Sequence, residues 1–244
     1  MQRPCLLIKI LICLCVLGLF MGSAAPKSAA AARFPAADGG RFTKVLDSGI
    51  ETLDPHMAYD VNSFESIGQV YETLLTYQRE DPTELIPLLA ESWHISDGGL
   101  TYTFTLRRGI TFHAGGLLEG HDAAYSFWRG LLQDYEYGPV TLIIEALFGV
   151  NHIDELPGDD LARCQMVKNA VTYDDQNSQI TFHLISPYAP FANLLAGPYS
   201  SLLDQEWMIA QGDWDASCDT WRNWYNPPVE KSVLYEQMNG TGPF

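Results

Sequence analysis

Histidine is the residue of this sequence best suited to bind a metal or transfer a proton, and the chain has six histidines. They are His56, His94, His113, His121, His152 and His183. None belongs to an HExxH motif, lies four residues from another histidine, or stands beside cysteines at the spacing of a zinc finger. We therefore predict no metal site.

Motifs for nucleophilic catalysis are absent from the sequence as well. The chain has no GxSxG nucleophile elbow and no glycine loop of the Walker type. Carboxylate pairs occur by chance in any chain this acidic, so they do not indicate a glycosidase or a protease. We predict no catalytic residues and no cofactor, and a secreted hydrolase remains an alternative of a different class.

The first 25 residues have the three regions of a secretory signal peptide. The basic residues Arg3 and Lys9 precede an apolar run over 10–21, and small residues follow it. This run of about twelve residues is shorter than the ~20 that a bilayer-spanning helix needs. We predict a signal peptide over 1–25, a flexible leader over 26–40 and a periplasmic or extracellular protein. An uncleaved anchor is the alternative.

Two of the five cysteines, Cys164 and Cys218, lie beyond the predicted signal peptide. An even pair in an exported chain favours one disulfide, with two buried thiols as the alternative. A cluster of aromatic residues follows Cys218, namely Trp221, Trp224 and Tyr225. Such rings could stack on a sugar, but we interpret them as a structural insertion that Cys218 holds in place.

The charge of the chain excludes one class of partner. Lys plus Arg number 14 against 30 for Asp plus Glu, which gives a formal net charge of -16. This charge repels nucleic acid and anionic lipid headgroups at long range, so we predict no nucleic-acid partner. With 244 residues, of which 47% are hydrophobic, the chain can form one large domain or two small ones around a real core.

The segment 87–129 contains a strand, a glycine turn and a helix in succession. Apolar residues alternate with threonines over Leu100–Leu106, which predicts a strand with one buried face. Glycines at 98–99 and 115–116 break the chain on either side of it. After the second break, spacings of three and four predict an amphipathic helix with the buried face Ala124, Phe127, Trp128 and Leu131.

Similar patterns predict the other elements. Asn62 and Glu65 have the spacing of a capping box, so a helix is predicted to begin at Asn62. Its predicted buried face is Ile67, Val70, Tyr71 and Leu74. Further predictions are a strand over 41–46, a hairpin around the turn 174–177, and helices over 141–150, 188–196 and 202–211.

Several phrases of the chain stand in one order: LDP at 53–55, YETLLTY at 71–77, AESW at 90–93, GLTYTFTLR at 99–107, GDW at 212–214 and GTGPF at 240–244. On these phrases the chain resembles the family 5 extracellular solute-binding proteins of ABC transporters, the oligopeptide, dipeptide and nickel binders. The resemblance implies an α/β fold of mixed sheets with flanking helices, similar to the type II periplasmic binding proteins.

The phrase GTGPF stands at residues 240–244 of this chain, whereas it lies in the middle of complete family members. The resemblance implies that residues 41–244 form the first lobe only, with a subdomain at about 60–170, and that the second lobe is missing. The family also caps the helix after residue 119 with a small hydroxyl residue, two residues after a proline. Glu119 and Leu117 stand there instead, and since a Ser or Thr cap is worth about 1 kcal/mol, we predict a frayed first turn.

The candidate ligand contacts also come from the resemblance. In peptide-binding relatives the loop after LDP lines the cleft, where the backbone of the peptide pairs like an added strand. That loop supplies Tyr59, Asp60 and Val61 here. An aromatic after the next long helix, Tyr137, and Thr241 of GTGPF complete the predicted set. Without the resemblance, an ordinary surface loop is the preferred interpretation of residues 59–61.

The implied function is capture of an oligopeptide or dipeptide, or another small solute, and its delivery to an ABC permease of the inner membrane. We expect a monomer that is exported and can associate with the membrane transporter. An oligosaccharide or a nickel chelate remains an alternative ligand, because the groups that hold peptide termini in relatives lie in the second lobe. A chemoreceptor-type sensor is the alternative of a different class.

Overall fold

A computed structural model describes residues 43, 45–46 and 48–244. The predicted signal peptide, the predicted leader and most of the strand predicted over 41–46 lie outside the described residues. The chain divides into 1–45 and 46–244, and all of the elements below belong to the second unit. Within the described part of the chain, none of the helices combines the length and the hydropathy that a bilayer crossing requires.

The described residues form a mixed α/β structure. The α-helices are α1 Val61–Val70, α2 Gly120–Gln133, α3 Thr141–Phe148, α4 Asp160–Ala170, α5 Phe191–Leu194 and α6 Gln205–Ala210. The strands are β1 Leu75–Tyr77, β2 Leu85–Pro87, β3 Ala90–Ser96, β4 Thr101–Leu106, β5 Val171–Asp174 and β6 Gln179–His183. Short 3₁₀ turns are Ile153–Glu155, Pro198–Ser200, Trp221–Trp224 and Val229–Lys231.

The strands form two antiparallel sheets, a β1–β2 pair and a four-stranded sheet in the order β3-β4-β6-β5. The alternation predicted for β4 is confirmed, because Tyr102, Phe104 and Leu106 are buried and the threonines between them are partly exposed. The predicted hairpin is β5–β6, whose turn begins after Asp174. One face of this sheet therefore packs into the core.

Strand β3 was not predicted, and its position explains why. It lies at the edge of the four-stranded sheet, and only Ala90 of its residues is fully buried. An edge strand with one fully buried side chain has no apolar alternation to detect. Trp93 of this strand is partly buried and stacks on Phe104 of β4, with ring centroids 6.5 Å apart.

Helix α1 differs from its prediction at both ends. It begins at Val61, and its N-cap is Asp60, whose carboxylate accepts a hydrogen bond of 2.9 Å from the Ser63 N–H. It ends at Val70 because the carbonyl of Val70 accepts the Gly242 N–H at 2.8 Å, a bond that replaces continuation of the helix. Leu74 is buried as predicted, but it precedes β1.

Helix α2 is buried along its whole length except at His121. The predicted fraying of its first turn is wrong, because Glu119 and Asp122 form a capping box and the His121 N–H donates to Asp175 Oδ1 at 2.9 Å. The Asp122 carboxylate accepts the Glu119 N–H at 2.9 Å and the Gln205 N–H at 2.8 Å. The beginning of α2 is therefore fixed both to its own cap residue and to the beginning of α6.

Helices α3, α5 and α6 are shorter than predicted but lie inside the predicted ranges, whereas α4 was not predicted. A disulfide joins Cys164 of α4 to Cys218, with Cα atoms 5.6 Å apart. The aromatic residues after Cys218 pack onto the same helix. Trp221 is buried, and its indole N–H donates to the Asp160 carbonyl at 3.0 Å. This packing agrees with the structural role predicted for the aromatic cluster.

Candidate functional site

A buried ionic cluster connects three distant parts of the chain. Arg129, near the end of α2, is 3% exposed, and its guanidinium lies between two carboxylates. Its Nη2 is 2.8 Å from Asp54 Oδ2 and 3.0 Å from Asp213 Oδ2, while its Nε is 2.9 Å from Asp213 Oδ1. This paired geometry suits the planar fork of arginine. We call these three residues the Arg129 cluster.

The charges of the cluster change the pKa values of the groups around it. Burial alone would raise the pKa of Asp54, but the guanidinium of Arg129 outweighs it and brings this pKa down to about 2. His56 lies beside the cluster, and burial together with Arg129 lowers its pKa to about 3. The His56 ring is therefore neutral at physiological pH.

The neutral ring of His56 has an assignable tautomer. Its Nδ1 lies 3.0 Å from Nη1 of Arg129. A guanidinium can only donate hydrogen bonds, so Nδ1 of His56 must be the acceptor and Nε2 must carry the proton. His56 thus accepts a hydrogen bond from Arg129, and its Nδ1 is not free to act as an acid or a base.

The cluster fixes the turn that follows the LDP phrase. The carboxylate of Asp54 accepts the His56 N–H at 2.9 Å, and the carbonyl of Asp54 accepts the Ala58 N–H at 2.9 Å. Neighbouring glycines leave no space beside this turn: a Cβ on Gly130 would come within 3.0 Å of the His56 ring, and one on Gly138 within 2.8 Å of the His56 carbonyl. The turn is therefore a rigid base for the residues that follow.

Two of the three predicted loop contacts are presented to solvent from this base. Tyr59 is 65% exposed and Val61 is 79% exposed. The ring of Tyr59 meets Phe64 of α1 edge-on, with centroids 6.3 Å apart. Asp60 is used differently, since one of its carboxylate oxygens caps α1 and the other is buried without a hydrogen-bond partner among the described residues.

The other predicted contacts fall in different places. Tyr137 is 69% exposed, and its neighbour Gly138 packs on the His56 carbonyl, so the structure brings the Tyr137 loop onto the same turn as Tyr59. Thr241 lies at the opposite end of α1, a distance on the order of 15 Å for a ten-residue helix. Its hydroxyl donates to Glu72 Oε2 at 2.8 Å.

The segment around Thr241 is a clasp on the end of α1. A Cβ on Gly240 would lie 2.0 Å from the Val70 carbonyl oxygen, and one on Gly242 2.7 Å from it. His113 adds a contact of 2.7 Å from its Nε2 to the Gly242 carbonyl. The glycines of GTGPF are thus explained by close backbone approach.

The Arg129 cluster is the part of the site that sequence reasoning missed. Asp54 and Asp213 both lie in phrases that resemble the family. Arg129 is 75 residues from Asp54 and 84 residues from Asp213 in the sequence. A single sequence does not show which distant charges meet. The usable signal was a charged residue, Arg129, between Trp128 and Leu131 of the predicted apolar face, because a charged side chain is rarely buried unless it is paired.

Comparison with known proteins identifies the family. Residues 84–244 match the sequence model described as bacterial extracellular solute-binding proteins, family 5 Middle. The chain belongs to this family. Members of family 5 are solute-binding proteins of the periplasm or the extracellular space, and the resemblance of the sequence phrases is thereby confirmed.

Relatives of family 5 cover most of this chain. Di/tripeptide-binding protein 4 of Pseudomonas aeruginosa is 29% identical over an alignment of 193 positions that covers 75% of this chain and 31% of the relative. Heme-binding protein A of Haemophilus influenzae is 29% identical over an alignment of 168 positions that covers 66% of this chain and 29% of the relative. The chain spans about a third of the length of the curated relatives that it matches.

Solved structures of the family share the fold. The periplasmic binding protein DppA of Helicobacter pylori, in complex with the peptide STSA, has a TM-score of 0.53 and 26% identity. The match covers 79% of this chain and 34% of that one. The structural neighbours are type II periplasmic binding proteins, so the predicted fold class is confirmed.

Proposed function

We propose that this chain is part of an exported substrate-binding protein that captures dipeptides or oligopeptides for uptake through an ABC permease of the inner membrane. Membership of family 5 supports a binding protein, and a relative named for di- and tripeptides supports the ligand class. The signal-peptide pattern over 1–25 supports export. We propose no catalysis, a monomer, and a periplasmic or extracellular location.

The observation that carries this proposal is the rigid presentation of Tyr59 and Val61. The Arg129 cluster holds the turn below them, so little backbone conformational entropy is lost when a ligand orders this segment. The backbone between them is extended, with φ -112° and ψ 156° at Asp60. An extended segment can pair with the backbone of an extended peptide, which is how we propose that the ligand is held.

The proposed mechanism assigns one wall of a cleft to the described residues. Tyr59, Val61 and Tyr137 contact the ligand, and Asp60 keeps the segment extended by capping α1. Closure of a second lobe over the ligand by a hinge motion would complete the site and signal occupancy to the permease. Thr241 acts in this proposal through the clasp on α1 and not through contact with the ligand.

Titration calorimetry on the purified full-length protein tests the ligand class. Pools of di- and tripeptides are the main arm, with cello-oligosaccharides, hemin and a nickel chelate as the other arms. We expect heat from the peptide pools only. Heat from sugars, hemin or the chelate without heat from peptides would refute the peptide proposal and leave the fold assignment intact.

A pair of variants tests the proposed wall. We expect Tyr59→Ala to weaken peptide binding roughly tenfold, the loss of about 1.4 kcal/mol that a buried aromatic contact commonly supplies. Ile185→Ala is the matched control, because Ile185 is equally exposed at 65% and belongs to none of the proposed contact segments. Equal dissociation constants for the two variants would contradict the placement of the wall at Tyr59.

A further inference from the structure

His121 is the one residue of α2 that is not buried. Four carboxylates lie within 4.0 Å of its ring nitrogens. It lines an open depression of about 560 Å³ together with Gly116, Glu119 and Glu206. Neither the proposed peptide wall nor the Arg129 cluster uses this histidine. Its surroundings therefore need an explanation that does not rest on the proposed function.

The atoms around His121 have the spacing of a metal-ligand set. Nε2 of His121 is 3.0 Å from Glu206 Oε1 and 3.8 Å from Asp122 Oδ2, and the three ligand atoms all lie within 4.8 Å of one another. A tetrahedral ion with bonds of about 2.1 Å separates its ligands by roughly 3.4 Å. Small side-chain movements are enough to seat an ion between these atoms.

The second ring nitrogen of His121 is held in the way that metal ligands usually are. Nδ1 lies 3.3 Å from Asp175 Oδ2, in the turn between β5 and β6. Asp122 is fixed as well, by the N–H groups of Glu119 and Gln205. A carboxylate on the far nitrogen of the histidine and hydrogen bonds on the ligating carboxylate orient both groups before any ion arrives.

The chemistry of the set selects the class of ion. One imidazole nitrogen and two carboxylate oxygens suit borderline first-row metals such as Zn²⁺, whereas Ca²⁺ and Mg²⁺ prefer oxygen ligands throughout. We propose that His121, Asp122 and Glu206 bind a divalent transition metal, with water completing its coordination from the open side. Asp175 acts as a positioning residue by orienting the His121 ring.

The sequence alone does not predict this site, because its residues form no local metal-binding motif. Glu206 is 85 residues from His121, and only the packing of α6 against the beginning of α2 brings the two together. An ion at this position would connect α2, α6 and the β5–β6 turn. The expected result of binding is therefore a higher melting temperature of the whole unit as well as measurable affinity.

Titration calorimetry with ZnCl₂ on the EDTA-treated, dialysed full-length protein tests the proposal. We expect one zinc ion per chain at this site, an increase in melting temperature, and no comparable response to CaCl₂. Glu206→Gln and His121→Asn should each weaken zinc binding at least tenfold, and Asp175→Asn about tenfold to a hundredfold. The Glu206 side chain is 71% exposed, so Glu206→Gln tests the site even if His121→Asn fails to fold.

His183→Asn is the matched control, since His183 is an exposed histidine on β6 outside the proposed set. It should bind zinc as the unaltered protein does. Zinc affinity that is unchanged in both Glu206→Gln and His121→Asn would overturn the proposal, and so would equal affinity for Ca²⁺ and Zn²⁺. A failure of the peptide titration leaves this result untouched, because the two experiments use different residues and ligands.

Discussion

Two arginines of this chain each lie between a pair of aspartates, one in the interior and one near the surface. Arg129 contacts Asp54 at 2.8 Å and Asp213 at 2.9 Å, and Arg222 contacts Asp154 at 2.6 Å and Asp160 at 2.9 Å. The distances are alike, but the Arg129 side chain is 3% exposed and that of Arg222 is 36% exposed. Distance alone therefore does not tell which cluster the fold depends on.

The difference lies in what else holds each cluster. Buried charges stabilise one another, because removal of one leaves its partners buried without a counter-charge. The segment of Arg222 is secured independently, by the disulfide from Cys164 to Cys218 and by Trp221 packed on α4. The rings of Trp221 and Tyr225 also lie 4.6 Å from the Arg222 guanidinium. We therefore expect the surroundings of Arg129 to depend more strongly on its ion pairs than the surroundings of Arg222 do on theirs.

Removal of the interior arginine should have the largest effect. Arg129→Met leaves Asp54 and Asp213 buried without their cation, so we expect the free energy of unfolding to fall by about 3–5 kcal/mol. Unfolding in guanidinium chloride at pH 7, followed by circular dichroism, measures it. A loss below about 1 kcal/mol would show that the interior and surface clusters are equivalent, contrary to the comparison.

A triple variant sharpens the same point. In Asp54→Asn/Arg129→Met/Asp213→Asn no uncompensated charge remains, because the two carboxylates are replaced together with the cation. We expect this protein to recover part of the stability that Arg129→Met loses. A triple variant less stable than Arg129→Met would mean that the hydrogen-bond geometry of the cluster, and not its charge balance, carries the stability.

The neutral histidine beside the interior cluster predicts a pH dependence of intermediate size. The pKa of His56 is about 3 in the folded protein and about 6.5 when unfolded, so below pH 6.5 only the unfolded state binds its proton. The free energy of unfolding should therefore fall by about 2 kcal/mol between pH 7 and pH 5 on account of this group. Well above pH 6.5 the group contributes no slope, because neither state binds the proton.

Denaturant unfolding at a series of pH values isolates this contribution when variants are compared. His56→Gln should show a flatter dependence between pH 7 and pH 5, whereas His183→Gln, at an exposed histidine, should follow the unaltered protein. The difference between the curves removes the effect of other titrating groups. Parallel curves for the unaltered protein and His56→Gln would mean that His56 is protonated inside the fold.

The surface arginine should matter least. Arg222→Met removes ion pairs whose partners are 44% and 48% exposed, so we expect a loss below about 1 kcal/mol that decreases further in high salt. The same denaturant experiment at low and high NaCl concentration measures it. A loss as large as that of Arg129→Met would remove the distinction between the two clusters.

Local periodicity explains which elements could be predicted. The alternation over 101–106 and the apolar face of α2 come from neighbouring residues, and both elements form where the sequence places them. The end of α1 could not be predicted, because the donor that takes the Val70 carbonyl is Gly242, far along the chain. Strand β3 was missed because an edge strand needs no apolar face.

The features of the candidate site can also be divided into those set by neighbouring residues and those set by distant ones. A surface loop is predicted from the sequence at residues 59–61, and Tyr59 and Val61 are exposed there. The tautomer of His56 and the Arg129 cluster depend on side chains that meet from distant segments, whereas the cap role of Asp60 is local, since its carboxylate accepts the Ser63 N–H. Thr241 and Tyr59 are separated by the length of α1. The helix predicted from the sequence began one residue later than α1 and extended beyond its end at Val70.

The clasp of the glycines around Thr241 on the end of α1 has a consequence for the time course of folding. Thr241 and Glu72 are 169 residues apart, so closing this contact costs roughly 4–5 kcal/mol of chain entropy before it contributes anything. Contacts of such long range slow the search for the native topology. The end of α1 can therefore be completed only after almost the whole described chain has been synthesised, and until then the carbonyl of Val70 is open to other partners.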